Sequence, residues 1–254
     1  MRLLCINPNT TASVTELVVA TARRSVPEGV SVSGVTGRFG PRYIASRAAA
    51  AVAGHAALEL LATHGGQADV VLLACFGDPG LEALKELSPV PVIGLAEAAC
   101  HAACLVARRF GVVTGGERWG PMLEEFVAAQ GLSGRLAGIR TVAPTGAAIA
   151  QDPDSALAML AATCRAAAAE DGAGAVILAG AGLAGLAGRI AADVPVPVIC
   201  SVEAGVRMAL AVGSLGLRKP AGGPYAATPT VETVGLDPVL AASFTGSGDD
   251  RERI

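Results

Sequence analysis

A chain of 254 residues with 19 Lys and Arg, 22 Asp and Glu and a formal net charge of −3 carries no basic stripe for nucleic acid, and 3% aromatic residues leave little to stack bases on. Apolar residues reach 52%, yet Ala and Gly supply much of that and no apolar run approaches the roughly 18 residues a membrane span needs, so no nucleic-acid or membrane partner is expected. Six cysteines at no framework spacing predict free thiols, and an N-terminus that reads directly as a strand predicts a cytoplasmic protein.

Residues 3–6 read as a strand ending in Asn7-Pro8-Asn9-Thr10-Thr11, after which Val14, Leu17, Val18 and Thr21 recur at helical spacing. Residues 30–35 alternate as a strand, 37–43 form a loop, and 44–63 form a long Ala-rich helix whose His55, like His64 just beyond, is expected at the surface or a helix end. Residues 70–74 are an apolar run of strand length, followed by Asp78 and Pro79 as N-cap and first residue of a helix. A strand over 90–94 and a helix from 96 to about 108 complete the first half; Cys100 and Cys104 share a face of that helix and read as packing residues rather than metal ligands. The second half begins with a strand over 110–114 and a helix over 119–130 that puts Trp119, Leu123 and Phe126 on one side. A strand over 136–142, a helix opened by Asp152-Pro153-Asp154 and a strand over 175–178 follow. Such alternation predicts parallel sheets covered by helices, with a crevice outside the carboxyl ends of the strands. The tail, 245–254, is Gly, Ser and charge and is expected to be disordered.

Cys75 stands where the third strand meets the turn Cys75-Phe76-Gly77-Asp78-Pro79-Gly80. A helix N-terminus favours negative charge, so a thiol on such a turn is expected to ionise readily, and Gly77 lets the backbone approach a ligand. Position alone also allows an inert cysteine buried at a strand end.

The chain repeats itself. Ala68-Asp-Val-Val-Leu-Leu-Ala-Cys75-Phe-Gly-Asp-Pro-Gly-Leu81 aligns with Ala173-Gly-Ala-Val-Ile-Leu-Ala-Gly180-Ala-Gly-Leu-Ala-Gly-Leu186, pairing Cys75 with Gly180. After one inserted residue Val90-Pro-Val-Ile-Gly-Leu-Ala-Glu97 aligns with Val196-Pro-Val-Ile-Cys-Ser-Val-Glu203. Two similar halves follow. Where the first offers a thiol the second offers no side chain. Cys200, paired with Gly94, belongs at a strand's carboxyl end, either as a substitute proton donor or as a packed thiol.

Together, Asn7-Pro8-Asn9-Thr10-Thr11, Gly40-Pro41, Cys75-Phe-Gly-Asp-Pro-Gly-Leu81, Pro91-Val-Ile-Gly94, Phe110-Gly-Val-Val-Thr114 and Leu215-Gly-Leu-Arg-Lys219 leading to Gly223-Pro-Tyr225 resemble the aspartate/glutamate/hydantoin racemase superfamily, most closely its hydantoin and allantoin racemase branch. The resemblance covers nearly the whole chain. It implies an α/β fold of two pseudo-symmetric lobes, each a mostly parallel sheet flanked by helices, facing each other over a pocket that needs no cofactor or metal. The lobes would be 1–98 plus 214–244, carrying Cys75, and 99–213, carrying Gly180, in a homo-oligomer.

In that family two cysteines flank the carbon that loses and regains a proton. Cys75 matches the first, as catalytic acid–base, and Gly180 stands at the second. Asn7, Thr10, Pro41, Tyr43, Phe76, Gly77, Thr114, Gly115, Gly180, Ala181 and Gly182 would line the substrate pocket. The implied activity is proton transfer at the C–H next to a carbonyl of a small hydantoin-like or carboxylate substrate. Alternatives are a decarboxylase resembling arylmalonate decarboxylase, chemistry resembling maleate isomerase, and a small-molecule binding protein without turnover.

Overall fold

In the computed structural model, described for residues 1–217 and 219–245, strands and helices alternate from end to end. The expected disordered tail lies, except for Thr245, outside the described residues. The first half runs β1 (Arg2–Asn7), α1 (Ala12–Ser25), β2 (Ser31–Thr36), α2 (Arg47–His64), β3 (Val70–Leu73), α3 (Leu81–Leu87), β4 (Val92–Gly94) and α4 (Leu95–Val106). The second runs β5 (Phe110–Gly115), α5 (Trp119–Ala129), β6 (Leu136–Val142), α6 (Gly146–Gln151), α7 (Pro153–Ala169), β7 (Ala175–Ala179), α8 (Ala187–Ile190), β8 (Val198–Cys200) and α9 (Ser201–Ser214), with α10 (Pro238–Ala242) beyond.

The two four-stranded sheets have the same order, β2-β1-β3-β4 and β6-β5-β7-β8, and every pair is parallel. Their registers obey the sequence repeat: Leu73 lies opposite Gly94 as Leu178 lies opposite Cys200. β3 is buried along its whole length, which is why its sequence is a continuous apolar run rather than an alternation. Each of those four side chains contributes about 1.5–3 kcal/mol by leaving water.

From β1 the chain crosses to β2 on one side and later returns to β3 on the other, so the segments after β1 and β3 diverge and leave a crevice between them. The same divergence follows β5 and β7. Helices α4 and α9, which the repeat relates, pack on each other, and each touches the opposite sheet: α4 meets β7 and α9 meets β3. Gly205 permits this approach, because a Cβ there would stand 2.8 Å from Leu95 Cδ1 and 3.1 Å from Leu72 Cδ1. Beyond α9 the chain returns to the first half, where α10 packs on α2 and Arg38 bridges Glu59 at 2.8 Å and Asp237 at 3.1 Å.

Two helix starts differ from expectation. α2 begins at Arg47, capped by Ser46 Oγ accepting from Ala49 N at 3.1 Å, because Ile44 is drawn into the core instead. α3 begins at Leu81 after Gly80 at φ +79°, and Asp78 does not cap it. Asp78 sits in the left-handed region at φ +44°, and its carboxylate accepts from Ala96 N at 3.0 Å and Glu97 N at 2.8 Å, capping α4 across space. Gly94 makes room for that carboxylate.

Cys100 is buried within α4 and Cys104 is half-buried, as packing residues. His64 ends α2, and His55 approaches Glu59 at 3.6 Å on its surface. Among the described residues no cluster of side chains could hold a metal ion, and no helix is long and apolar enough to cross a membrane.

Candidate active site

The segments after β1, β3, β5 and β7 converge on one cavity of about 70 Å³. Cys75, Phe76 and Tyr43 reach it from the first half, and Thr114, Gly115 and the run from Gly180 to Gly182 from the second. Arg42, exposed at its mouth, is the one charged residue among those lining it.

Cys75 follows directly on β3, is 8% exposed, and is the one cysteine that lines the cavity. Burial pushes its thiol well above the usual cysteine range, and the nearby charge of Asp78 adds to the effect. This reverses the sequence expectation of a readily ionised thiol. The cause is desolvation, since the thiol is packed in the core rather than set in solvent at a helix end.

The matching turn closes in the same way. Asp78 N donates to Cys75 O at 3.0 Å, and Leu183 N donates to Gly180 O at 3.0 Å. Gly180, however, adopts φ +121° and ψ 142°, a conformation essentially reserved for glycine. There is room for a Cβ, with Leu183 Cδ1 at 3.7 Å and Thr114 Oγ1 at 3.8 Å, so backbone conformation rather than space excludes a side chain. The Gly180 N–H donates to Ser201 Oγ at 3.2 Å. The N–H groups of Phe76, Gly77, Ala181 and Gly182 have no acceptor among the described residues, leaving donors on both turns.

Tyr43 spans the cleft. It belongs to the loop between β2 and α2, yet its hydroxyl donates to Gly115 O at 3.2 Å and accepts from Trp119 Nε1 at 3.0 Å. Burial raises its pKa, and a charge on Cys75 would raise it further. Thr114 Oγ1 is engaged elsewhere, donating to Ala179 O at 2.9 Å.

Four residues expected in the lining stand behind it. Asn7 is fully buried, its Nδ2 donating to Asn9 Oδ1 at 3.1 Å and Thr15 Oγ1 at 3.0 Å, so it shapes the loop that presents Asn9 to the cavity. Thr10 and Pro41 join through Thr10 N and Pro41 O at 3.2 Å, fixing the segment that carries Arg42 and Tyr43. Gly77 packs on Trp119, where a Cβ would come within 2.9 Å of Cζ3. Cys200 is buried and its sulfur accepts from Gly185 N at 3.4 Å; it does not line the cavity, which removes it as the substitute donor.

Asn9, Trp119, Ile44 and Gly146 line the cavity without having been anticipated there. Asn9 belonged to a motif already singled out. Trp119 was legible as a buried helix residue and gave no sign of facing a ligand.

Paired parallel sheets of one topology, with a thiol on one facing turn, define a pseudo-symmetric two-lobed α/β protein with one thiol-bearing cavity among the described residues. The family profile described as Asp/Glu/Hydantoin racemase matches residues 3–209, and the chain belongs to that family. It is 36% identical to the hydantoin racemase of Paenarthrobacter aurescens over 227 residues, 89% of this chain and 96% of that one. Allantoin racemase from Pseudomonas fluorescens superposes with a TM-score of 0.88 at 31% identity, covering 92% of this chain and all of that one. Allantoin racemase from Klebsiella pneumoniae gives 0.86 at 34% identity, covering 92% and 96%. The protein is thus a racemase-like enzyme that handles a small molecule with a cysteine.

Proposed function

We propose that the protein moves the proton at a stereogenic C–H next to a carbonyl in a hydantoin-like ring, with Cys75 as acid–base. The observation that carries this reading is the placement of Cys75 alone among the cysteines on the cavity, at the carboxyl end of β3. In the thiolate form its sulfur takes the proton, and the C–H bonding electrons move onto the carbonyl to form an enolate. The unengaged N–H groups of Phe76, and of Ala181 and Gly182, are available to the ring oxygens as that charge develops. A cavity free of carboxylates and mostly apolar in its lining suits a neutral ring. Its size, by the same reasoning, favours a small substituent.

The six free cysteines fit the proposed cytoplasmic location, and exposed Leu105, Val106, Leu215 and Leu217 fit a homo-oligomer.

The test incubates the protein in D2O with enantiopure 5-substituted hydantoins, allantoin, amino acids and arylmalonates. Exchange of the α-hydrogen of a hydantoin or allantoin, abolished in Cys75→Ala for at least one enantiomer, is the expected result. No exchange with any of them, or exchange of both enantiomers that survives Cys75→Ala, would sink the reading. Release of carbon dioxide from an arylmalonate would replace it with decarboxylation.

A further inference from the structure

We infer that Tyr43 is the second proton-transfer group, delivering a proton to the face of the substrate carbon opposite Cys75, in the place the Gly180 turn leaves without a side chain. The inference rests on the Cys75 chemistry proposed above.

Position is the first argument. Thr114 pairs with Ala179 in the register of β5 and β7, so Gly115, the next residue, lies beside Gly180. The Tyr43 hydroxyl is bonded to Gly115 O, and a Cβ on neighbouring Gly116 would contact the same hydroxyl at 2.7 Å. A side chain from the first half thus places its acidic proton at the carboxyl end of the second sheet. Cys75 holds the corresponding place on the first sheet. Both side chains line the one cavity, close enough for the charge of Cys75 to act on the phenol.

Elimination is the second. Besides Cys75, the side chains lining the cavity that carry an N–H or O–H are those of Asn9, Arg42, Tyr43, Thr114 and Trp119. Trp119 gives its proton to Tyr43, and Thr114 gives its own to Ala179 O at 2.9 Å. The Asn9 amide does not ionise, and an exposed guanidinium does not release its proton. Tyr43 remains. Its bond to Gly115 O is the longer one at 3.2 Å, and the phenol O–H can turn about its C–O bond toward a substrate.

The step balances without a co-reactant. Cys75 thiolate forms an S–H bond as the substrate C–H bond breaks, and the electron pair passes into the enolate. The enolate carbon then takes the proton of the Tyr43 O–H on its other face, leaving a phenolate that accepts the Trp119 Nε1–H bond. Proton exchange with water, lost by Cys75 and gained by Tyr43, restores the starting state. Starting from the opposite enantiomer, Tyr43 phenolate is the base and the Cys75 thiol the acid.

The test follows enantiopure 5-substituted hydantoins and allantoin in D2O, reading α-deuterium by NMR and inversion by optical rotation on the same samples. For wild type, exchange with inversion is expected. For the enantiomer whose C–H faces Cys75, Tyr43→Phe should lower inversion about 100-fold more than it lowers exchange, the scale of one lost general acid–base group, while for the mirror image both should fall together. Cys75→Ala should lose both for that first enantiomer, and inversion alone for its mirror image. In a Tyr225→Phe background, 3-fluorotyrosine at position 43 keeps the hydroxyl and its bonds, and for the enantiomer facing Cys75 should move the pH profile of inversion to lower pH while leaving that of exchange in place. If, for the enantiomer facing Cys75, Tyr43→Phe lowers both rates by one factor or neither, if fluorination moves neither profile, or if wild type exchanges with full retention, Tyr43 is not the donor and the Cys75 reading stands. If wild type exchanges none of these compounds, that reading falls and takes this inference with it.

Discussion

The Asp78 carboxylate accepts the Glu97 N–H at 2.8 Å, tying the loop that carries Cys75 to the start of α4. Glu97 reaches back to Gly94 N at 3.2 Å, so the helix end is closed from both sides. Helix α4 in turn packs on α9 and on β7 of the second sheet, so the loop is held by a helix that spans both halves.

Replacing Asp78 separates its two effects. Asp78→Asn keeps one acceptor for the cap and should cost about 1 kcal/mol in urea unfolding. It also removes a negative charge that raises the Cys75 thiol, so the pH profile of Cys75-dependent exchange should move to lower pH. Burial lifts the folded carboxyl from 3.8 to about 7, so its contribution to stability is complete below the unfolded value and lost as pH rises through the folded one. Wild-type stability should therefore fall more steeply than that of Asp78→Asn over that window. Parallel curves would place the titration elsewhere.

Cys75→Ser should abolish exchange nearly as fully as Cys75→Ala, a loss of about 100-fold or more, because a serine hydroxyl is a far weaker acid and base at neutral pH. Unfolding should barely change, since the thiol makes only a long hydrogen bond among the described residues, to Phe76 O at 4.0 Å. In wild type the raised thiol predicts exchange that climbs with pH through the neutral range without reaching a plateau. A plateau below pH 7 would mean that the substrate-bound thiol is acidic.

Gly180→Cys restores a thiol on the second turn, but at φ +121° it carries a backbone penalty of about 1–3 kcal/mol. Gly180→Ala should be destabilised to the same extent in thermal or urea unfolding, marking conformation rather than crowding as the cause. A gain in inversion from Gly180→Cys should be small. Wild-type stability in both variants would show that the turn relaxes without cost.

Gly77→Ala meets two obstacles, a φ of +106° and Trp119 Cζ3 at 2.9 Å. The ring must move, and with it the Nε1–H bond to Tyr43. Because Trp119 is the sole tryptophan, its fluorescence should report both this displacement and the binding of any ligand to the cavity. An unchanged emission spectrum in Gly77→Ala would mean that the loop yields instead of the ring.

The duplication, the alternation of strand and helix and the place of Cys75 at a strand end were all determined locally, by apolar runs of strand length and by a motif copied between residues 75 and 180. Both sheets and their common order agree with that reading, since parallel strands buried on two faces write themselves as continuous apolar segments. Which residues face the cavity was decided only by contacts distant in sequence. Asp78 looks like the cap of the next helix and instead caps one 18 residues on, because a left-handed backbone turns its carboxylate away. Asn7 spends its amide on its own loop and leaves the cavity to Asn9. Tyr43 and Trp119, 76 residues apart, meet only when the halves close on each other. The acidity of Cys75 belongs to the same class, since burial and a neighbouring carboxylate set it, and neither can be read from the turn in which the cysteine sits.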